Sequence, residues 1–362
     1  MKVMTILGTR PEIIRLSRII GRLDGLCQQT LVHTGQNFAP SLSDQFFIEL
    51  GIRLPDVHLG IRSTSFSDQV GQILSRMGET LRQVRPDRVL LLGDTNSALS
   101  ALVAARMGIP VFHLEAGNRC YDDRVPEEIN RRVVDHCSAV LMPYTHRSKE
   151  NLIREGIDRR NIFVVGNPIL EVLEAHSAAT DASMALARLS VEPGGYFLAT
   201  LHRAENVDAP RRLKSLLEGL DLVGRTFGIP VIVSVHPRTA EKIRESDFLV
   251  AEERLRLIEP LGFKDFVKLE RNARAVLTDS GTVQEECCIF RVPNVTVRDV
   301  TERAETQECG STILTGEAPE SMLQATQAAL SIPSAWTPPS EYMETGVSAT
   351  VARIVLGYHH WV

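Results

Sequence analysis

The chain has 362 residues, which at about 150 residues per domain predicts about two domains and excludes a mini-protein. Hydrophobic residues make up 43% and charged residues 23%, a composition that supports two sizeable cores and disfavours long disordered stretches. With 40 basic and 45 acidic side chains the net charge is −5, so neither a nucleic-acid partner nor an anionic membrane surface is expected.

Short β-branched or Leu-rich runs alternate with longer stretches of helical period, which is typical of parallel sheets covered by helices on both faces. The predicted fold class is therefore α/β, with two doubly wound, Rossmann-like domains. Strands are predicted at 2–7, 30–33, 88–93, 111–115, 139–142 and 162–165, then at 196–201, 230–235, 274–278 and 293–297. Helices are predicted at 11–23 and near 210–226, 262–272, 281–289 and 318–330.

The alternation pauses near residue 167, where a polar, Ala-rich connection precedes the next strand. We therefore expect an N-terminal domain over 1–167 and a C-terminal domain over 168–345. The final segment, 346–362, carries apolar residues at helical spacing. This spacing predicts a C-terminal helix that packs back on the N-terminal domain.

The cysteines and the N-terminus indicate the compartment. Six cysteines stand at irregular spacings without a CxxC pair, which predicts reduced thiols rather than a disulfide framework or a zinc ribbon. The apolar run at the N-terminus is too short for a signal peptide, and nowhere do about 18 apolar residues run consecutively. We therefore expect a cytoplasmic protein with no membrane segment.

Acidic side chains follow strands of the first half. Asp94, Glu115 and Glu127 come at or shortly after predicted strand ends, and the carboxyl ends of parallel strands are where ligands bind. Clustered carboxylates raise one another's pKa values, so one of them could serve as an acid and another as a base near neutral pH. The alternative is that each one caps a helix or pairs with a nearby arginine, Arg131 among them.

Basic side chains and a small-residue turn follow strands of the second half. The turn Ser280-Gly281-Thr282 leads into a predicted helix, whose N–H groups and dipole suit a phosphate. His202, Arg203, His236 and Arg238 stand after two other strands and would add positive charge. The alternative for each histidine is a structural hydrogen bond.

Several chemistries have no matching motif. The chain has no GxxxxGK[ST], no GxGxxG after a strand, no HExxH and no GxSxG. A P-loop NTPase, a dinucleotide enzyme and a zinc hydrolase are therefore disfavoured, and covalent catalysis has no strong candidate. We expect neither a cofactor nor a metal.

Eight motifs carry a family resemblance and run in the family's order through most of the chain. The sequence resembles the UDP-N-acetylglucosamine 2-epimerase family of the non-hydrolysing type. The motifs are Gly8-Thr9-Arg10-Pro11-Glu12, Gly93-Asp94-Thr95, His113-Leu114-Glu115-Ala116-Gly117, Pro126-Glu127-Glu128 with Asn130-Arg131, Gly166-Asn167-Pro168, His202-Arg203 with Glu205-Asn206, Thr278-Asp279-Ser280-Gly281 with Gln284-Glu285-Glu286, and Thr301-Glu302-Arg303.

This resemblance implies a glycosyltransferase-B-like fold with the active site in the interdomain cleft, UDP bound mainly by the second domain and the sugar facing the first. It also implies epimerisation at C2 of a UDP-N-acetylamino sugar. The C2 proton is removed and UDP is expelled anti, which leaves a 2-acetamidoglucal-type intermediate; UDP adds back after the opposite face is protonated. Neither a metal nor a nicotinamide is required, and a homodimer is implied.

Residue roles follow from the same resemblance. Asp94, Glu115 and Glu127 match the family's catalytic carboxylates, His202 matches its essential histidine near the diphosphate, and Glu286 matches the residue on the ribose hydroxyls. The motifs and strand ends together predict a substrate- and UDP-binding set of Arg10, Arg15, His202, Arg203, His236, Ser280, Gly281, Thr282, Glu286 and Arg303.

Four positions depart from the family pattern. Arg15 stands in place of the usual lysine, which keeps the charge but not the point geometry, and Thr282 replaces the second glycine of Ser-Gly-Gly. Asn118 and Cys120 replace the common Leu and Thr, which resembles the branch in capsule and O-antigen pathways. The sugar is therefore open between UDP-N-acetylglucosamine and modified UDP-amino sugars such as 6-deoxy precursors of UDP-N-acetyl-L-fucosamine.

Three other functions remain as alternatives. They are a hydrolysing 2-epimerase that releases free sugar and UDP, a glycosyltransferase of the same fold, and a nucleotide-sugar-binding module without chemistry. The set of three carboxylates argues against a transferase, which would not need all of them.

Overall fold

The computed structural model describes residues 1–35, 40–63, 65–235, 237–245, 253–357 and 359. The chain divides into two compact units, the first formed by Met1–Ala175 with Ser340–Val362 and the second by His176–Pro339. The predicted domain limits at 167 and 345 lie a few residues from these divisions. They differ because the helix that follows residue 168 packs on the first helix of the chain and so stays in the first unit.

The first unit is built on a six-stranded parallel sheet of order β3-β2-β1-β4-β5-β6. Its strands are β1 Lys2–Leu7, β2 Gln28–His33, β3 Val57–His58, β4 Arg88–Leu92, β5 Val111–Leu114 and β6 Val140–Met142. Its helices include α1 Arg10–Asp24, α2 Pro40–Glu49, α3 Phe66–Val84, α4 Ser100–Arg106, α5 Pro126–Cys137, α6 His146–Arg154 and α7 Ile169–Ala175.

The second unit repeats this order as β12-β11-β10-β7-β8-β9. Its strands are β7 Phe197–Thr200, β8 Val231–Ser234, β9 Leu255–Ile258, β10 Val276–Thr278, β11 Asn294–Thr296 and β12 Thr312–Leu314. Its helices are α8 Ser177–Asp181, α9 Ala185–Arg188, α10 Ala204–Val207, α11 Pro210–Phe227, α12 Pro237–Glu245, α13 Phe263–Asn272, α14 Gly281–Phe290, α15 Ala304–Glu308 and α16 Pro319–Ser331. Both orders are those of the doubly wound Rossmann fold, so this part of the prediction is confirmed.

Both faces of the second sheet are buried. Phe197 and Ala199 of β7 belong to a core that α11 and α16 complete, whereas Leu198 belongs to a second core with α13 and α14. Successive strand residues point to opposite faces, so a strand covered on both sides reads as a continuous apolar run. This is why the central strands were predictable from composition alone.

The last helix, α17 Val347–Leu356, packs on α1 within the first unit. Arg22 Nε of α1 donates to Ser348 Oγ of α17 at 2.6 Å, and Val351 and Val355 are fully buried. Among the described residues, none of the helices combines the length and the apolar composition needed to cross a bilayer.

One predicted strand is wrong, and three observed strands were not predicted. The predicted strand at 162–165 forms only a single bridge, between Leu141 and Ile162, although its backbone runs beside the end of β6. Conversely, β3, β9 and β12 were not predicted. They are short strands at or near the sheet edges with partly exposed residues, so they lack the apolar runs of the central strands.

Each sheet has one position where the chain order reverses, between β1 and β4 in the first unit and between β7 and β10 in the second. The connections that leave these neighbouring strands diverge to opposite faces, which opens a crevice at the carboxyl ends of the strands. The residues that follow these four strands are therefore the ones expected to meet a ligand.

Candidate functional site

Glu12 joins the ends of β1 and β4 in the first unit. Its Oε2 accepts the N–H groups of Gly8 at 2.5 Å and Thr9 at 2.8 Å, and its Oε1 accepts the hydroxyl of Thr95 at 2.6 Å. Burial raises the pKa of Glu12 to about 7, although these hydrogen bonds oppose the rise. Sequence reasoning assigned Glu12 no role beyond its place in a motif.

This raised pKa predicts a pH-dependent stability. A carboxyl that binds its proton more tightly in the folded state makes the free energy of unfolding fall as pH rises from about 4.5 to 7, by up to about 3 kcal/mol. Glu12→Gln removes this titration. Urea unfolding at pH 5 and pH 8 should show the wild type losing stability relative to the variant, with the exposed Glu79→Gln as a control. An unchanged difference between the two pH values would contradict the assignment.

Glu115 forms a buried ion pair that the sequence did not predict. Arg15 Nη1 of α1 lies 2.8 Å from Glu115 Oε2, and the two side chains are 2% and 7% exposed. Tyr144 Oη also donates to Oε2 at 3.3 Å, and the Arg15 guanidinium lies over the Tyr144 ring. Arg15 and Tyr144 therefore fix the position of the Glu115 carboxyl group.

The backbone of Glu115 is strained. Its φ is +70°, a left-handed conformation that costs a residue other than glycine about 1–3 kcal/mol. Asn118 Nδ2 donates to the second carboxylate oxygen, Oε1, at 3.2 Å, and Ser148 Oγ donates to Asn118 Oδ1 at 2.9 Å. Asn118, one of the departures from the family pattern, therefore helps to hold Glu115 in place.

Asp94 follows β4 and pairs with Arg131 of α5. The Nη2 and Nε atoms of Arg131 lie 2.6 and 3.0 Å from Asp94 Oδ2, so the alternative of an arginine pair is realised for this carboxylate. Arg131 Nη1 also binds the fully buried Glu128 at 2.6 Å. Glu127, the predicted catalytic residue, is adjacent to Glu128 in the first turn of α5 and is half-buried.

A buried histidine supports this edge of the sheet. His113 Nδ1 lies 2.8 Å from Asp135 Oδ1, and its Nε2 lies 2.8 Å from the carbonyl oxygen of Gly93. Burial would raise the pKa of Asp135, but His113 and Arg119 hold it below its ordinary value. This set ties β4 and β5 to α5. The three carboxylates Asp94, Glu115 and Glu127, with Arg15 and Arg131, are called the carboxylate site below.

Asp279 organises the corresponding point of the second unit. This fully buried carboxylate follows β10 and accepts the backbone N–H groups of His202 and Arg203 and the side-chain amide of Asn206, at 3.0 to 3.2 Å. His202 Nδ1 lies 3.0 Å from Asp279 Oδ1, while the His202 side chain is half exposed. Burial opposes ionisation, yet His202 and the other donors hold the pKa of Asp279 well below its usual range.

Three arginines surround Glu302. Arg203 Nη2 lies 3.0 Å from Glu302 Oε1, Arg298 Nη1 lies 2.9 Å from Oε2, and Arg303 Nη1 lies 3.6 Å from Oε1. Arg303 Nε also binds Glu285. All of these side chains are largely buried, so this network of ion pairs fixes the Arg203 side chain next to the His202 loop. Glu302 and Arg298 were missed as site residues.

The turn at Ser280 has little space beside it. A Cβ added to Gly281 would lie 2.7 Å from Glu302 Oε1, so a larger residue there would displace that carboxylate. Ser280 is the N-cap of α14, and no side-chain cap bond to its hydroxyl is formed. Thr282 is half-buried in the first turn of α14.

Glu286 has a second carboxyl as its neighbour. Glu270 of α13 is fully buried, and burial together with Glu286 raises the pKa of Glu270 well above its ordinary value. Burial and this neighbour therefore favour the neutral form of the Glu270 carboxyl. Glu286 is 4% exposed, and it lies on α14 two residues before Cys288, the last buried residue of that helix.

The remaining predicted residues are placed as follows. Arg10 is the first residue of α1, its guanidinium lies 5.4 Å from the centre of the Phe46 ring, and burial lowers its pKa. His236 lies outside the described residues. In the described part of the chain, no cluster of three or more His, Cys, Asp or Glu side chains could hold a metal ion. The predicted UDP-binding residues of the second unit are called the cationic site below. They are His202, Arg203, Ser280–Thr282, Glu286 and Arg303.

Comparisons with known proteins bear on both sites. A family model described as UDP-N-acetylglucosamine 2-epimerase matches residues 23–356. The UDP-N-acetylglucosamine 2-epimerase of Methanocaldococcus jannaschii is 42% identical over 347 residues, 94% of this chain and 95% of that protein. The UDP-2,3-diacetamido-2,3-dideoxy-D-glucuronate 2-epimerase of Pseudomonas aeruginosa is 36% identical over 341 residues, 91% of this chain and 92% of that protein.

A solved structure extends the likeness to three dimensions. The crystal structure of the Methanocaldococcus jannaschii UDP-GlcNAc 2-epimerase in complex with UDP-GlcNAc and UDP matches with a TM-score of 0.92 and 41% identity, over 98% of both chains. Together with the two sheets of Rossmann order, this likeness confirms the predicted glycosyltransferase-B-like fold class.

Proposed function

Because this chain belongs to the UDP-N-acetylglucosamine 2-epimerase family, we propose that it epimerises a UDP-N-acetylamino sugar at C2, with UDP-N-acetylglucosamine as the first candidate substrate. The predicted resemblance, and with it the prediction of an isomerase, is confirmed. The observation that carries the proposal is the buried Glu115–Arg15 pair on a strained backbone, because strain of this kind is retained where a side chain must be held for chemistry.

The carboxylate site supplies the proton transfers in this proposal. In this proposal Glu115, which Arg15 holds in place, accepts the C2 proton, while Asp94 and Glu127 are the groups left to protonate the opposite face. Arg15 keeps its proton under all ordinary conditions, so it contributes charge and orientation but no proton transfer. Asp94 and Glu115 differ in their partners, which is one way in which an enzyme separates the roles of two carboxyls.

The cationic site receives the leaving UDP in this proposal. Negative charge develops on the diphosphate as the bond to the sugar breaks, and fixed donors aimed at that charge lower the barrier. His202 and Arg203 are held by Asp279 and Glu302, and Ser280 adds the N-terminus of α14. Glu286, whose neighbour Glu270 has a raised pKa, is assigned to the ribose hydroxyls in this proposal. No step requires a metal or a nicotinamide.

A second substrate has specific support. The Pseudomonas aeruginosa relative is named for a diacetamido glucuronate sugar, so the substituents at C3 and C6 of the sugar vary among proteins similar to this one. Asn118 contacts Glu115 directly, and it is one of the residues that differ from the common pattern. UDP-2,3-diacetamido-2,3-dideoxy-D-glucuronate is therefore the second candidate, and the 6-deoxy amino sugars are the third. The implied homodimer stays a prediction that light scattering would check.

The test is proton NMR of the protein in D2O with UDP-N-acetylglucosamine and, in separate samples, the diacetamido glucuronate sugar and a UDP-6-deoxy amino sugar. We expect deuterium to replace the C2 proton and a second UDP-linked anomeric signal to appear, because each elimination and re-addition exchanges that proton with solvent. UDP alone and a sample without protein are the controls.

The other outcomes have defined meanings. Free 2-epimeric sugar together with UDP would assign the hydrolysing reaction instead. UDP binding without any exchange on the three sugar types would contradict catalysis and favour a binding module.

A further inference from the structure

Two thiols of the second unit, one on α14 and one at the end of α15, lie in contact. Cys288 Sγ of α14 and Cys309 Sγ, which follows the end of α15, are 3.6 Å apart and share a hydrogen bond. Both cysteines are reduced, and a disulfide requires the two sulfur atoms to approach to about 2.05 Å. The two sulfur atoms must therefore move about 1.5 Å closer to form the bond, which a small rotation of the side chains would achieve.

The two cysteines differ in exposure and in partners. Cys288 is fully buried, whereas Cys309 is partly exposed and also lies 3.4 Å from Ser311 Oγ. The hydrogen bond from the Cys288 thiol, aided by Ser311, holds the pKa of Cys309 below its ordinary value, and the pKa of Cys288 is raised in return. Cys309 thus combines a lowered pKa with partial exposure of the residue. Oxidants react first with cysteines of this kind.

From the contact and the unequal exposure of these sulfurs we propose that Cys288 and Cys309 form a reversible disulfide on reaction with a peroxide. The Cys309 thiolate attacks one oxygen of hydrogen peroxide, so the S–O bond forms and the O–O bond breaks. Hydroxide leaves and is protonated to water, and Cys309 becomes a sulfenic acid. The Cys288 sulfur then attacks the Cys309 sulfur, the S–S bond forms, and the hydroxyl leaves with the Cys288 proton as a second water.

The bond would tie together two helices that begin at predicted UDP-binding residues. Ser280 is the N-cap of α14, which carries Cys288, and Arg303 is the N-cap of α15, which ends beside Cys309. The closed loop contains β11 and α15, so the disulfide constrains the unfolded chain of the second unit. The modification site itself is independent of which sugar the protein uses.

The test treats the full-length protein with hydrogen peroxide and maps its disulfides by mass spectrometry of non-reduced peptides. We expect a Cys288–Cys309 cross-link and a rise in Tm of roughly 5 °C or more, both reversed by dithiothreitol. Cys27→Ser is the matched control, since Cys27 is a half-buried thiol of the other unit and its loss should change neither result.

Single variants test the order of the two steps. In Cys288→Ser, the sulfenic acid on Cys309 has no resolving thiol, so dimedone should label Cys309. In Cys309→Ser, the buried Cys288 should stay unmodified at the same peroxide concentration. Oxidation that falls first on Cys27 or Cys137, or labelling of Cys288 in the second variant, would overturn the proposal.

Discussion

Glu115→Gln is expected to lower kcat roughly 10³-fold while it leaves the affinity for UDP within about threefold. The amide keeps the size of the side chain but cannot accept the C2 proton. UDP binding is assigned to the cationic site of the second unit, whereas Glu115 belongs to the first unit. The measurements are turnover of UDP-N-acetylglucosamine, deuterium exchange at C2, and calorimetric titration with UDP.

This substitution also breaks the buried ion pair of Arg15 with Glu115, which costs about 3–5 kcal/mol of stability. The double variant Arg15→Gln, Glu115→Gln distinguishes a loss of stability from a loss of catalysis, because it removes both charges of the ion pair. It should recover much of the lost stability but none of the activity. Glu174→Gln, an exposed carboxylate of the same unit, is the control. Equal losses of UDP affinity and turnover in a folded Glu115 variant would exclude the assigned role.

The central strands could be predicted from the sequence because burial on both faces makes them continuous apolar runs. β1, β4, β5 and β7 were predicted within one or two residues of their observed bounds. The short strands β3, β9 and β12 were not, since a strand of two to four partly exposed residues has no pattern that distinguishes it from a loop.

The location of candidate site residues in the fold was predictable where their position in a strand–helix connection was sufficient. Asp94 and His202 follow central strands directly, and the structure places each at the reversal point of its own sheet. The partners were not predictable. Arg15 and Glu115 are separated by 100 residues in sequence, and neither periodicity nor spacing relates them. Their pairing depends on how α1 packs beside β5.

Glu12 and Asp279, two of the carboxylates that were missed, share one role. Glu12 in the first unit and Asp279 in the second each connect the two strands at the reversal point and accept backbone N–H groups from the loop after the first of them. One sequence feature could have identified them: each is an acidic residue that follows closely after a continuous apolar run typical of a central strand. Sequence reasoning instead assigned carboxylates to proton transfer, because Thr95, which donates to Glu12, and all the donors to Asp279 come from distant segments.

Asp279→Asn is expected to weaken UDP binding about 10- to 100-fold and to lower the free energy of unfolding by about 3–5 kcal/mol at pH 7. The carboxylate accepts two backbone N–H groups and an amide, and it pairs with His202. An asparagine presents one oxygen and one NH2 group, so at least one of these donors would face another donor. The loop at His202 and Arg203 would then lose its fixed position beside α14.

The pH dependence separates this role from a general packing defect. The pKa of Asp279 is lower in the folded state than in the unfolded state, so its contribution to stability is present above about pH 4 and is lost as pH falls below that value. The difference in unfolding free energy between wild type and Asp279→Asn should therefore shrink between pH 7 and pH 3. The exposed Asp208→Asn variant is the control and should show no such convergence. A difference that stays constant with pH would mean that the asparagine acts through packing, and that His202 and Arg203 are held by something other than the charge of Asp279.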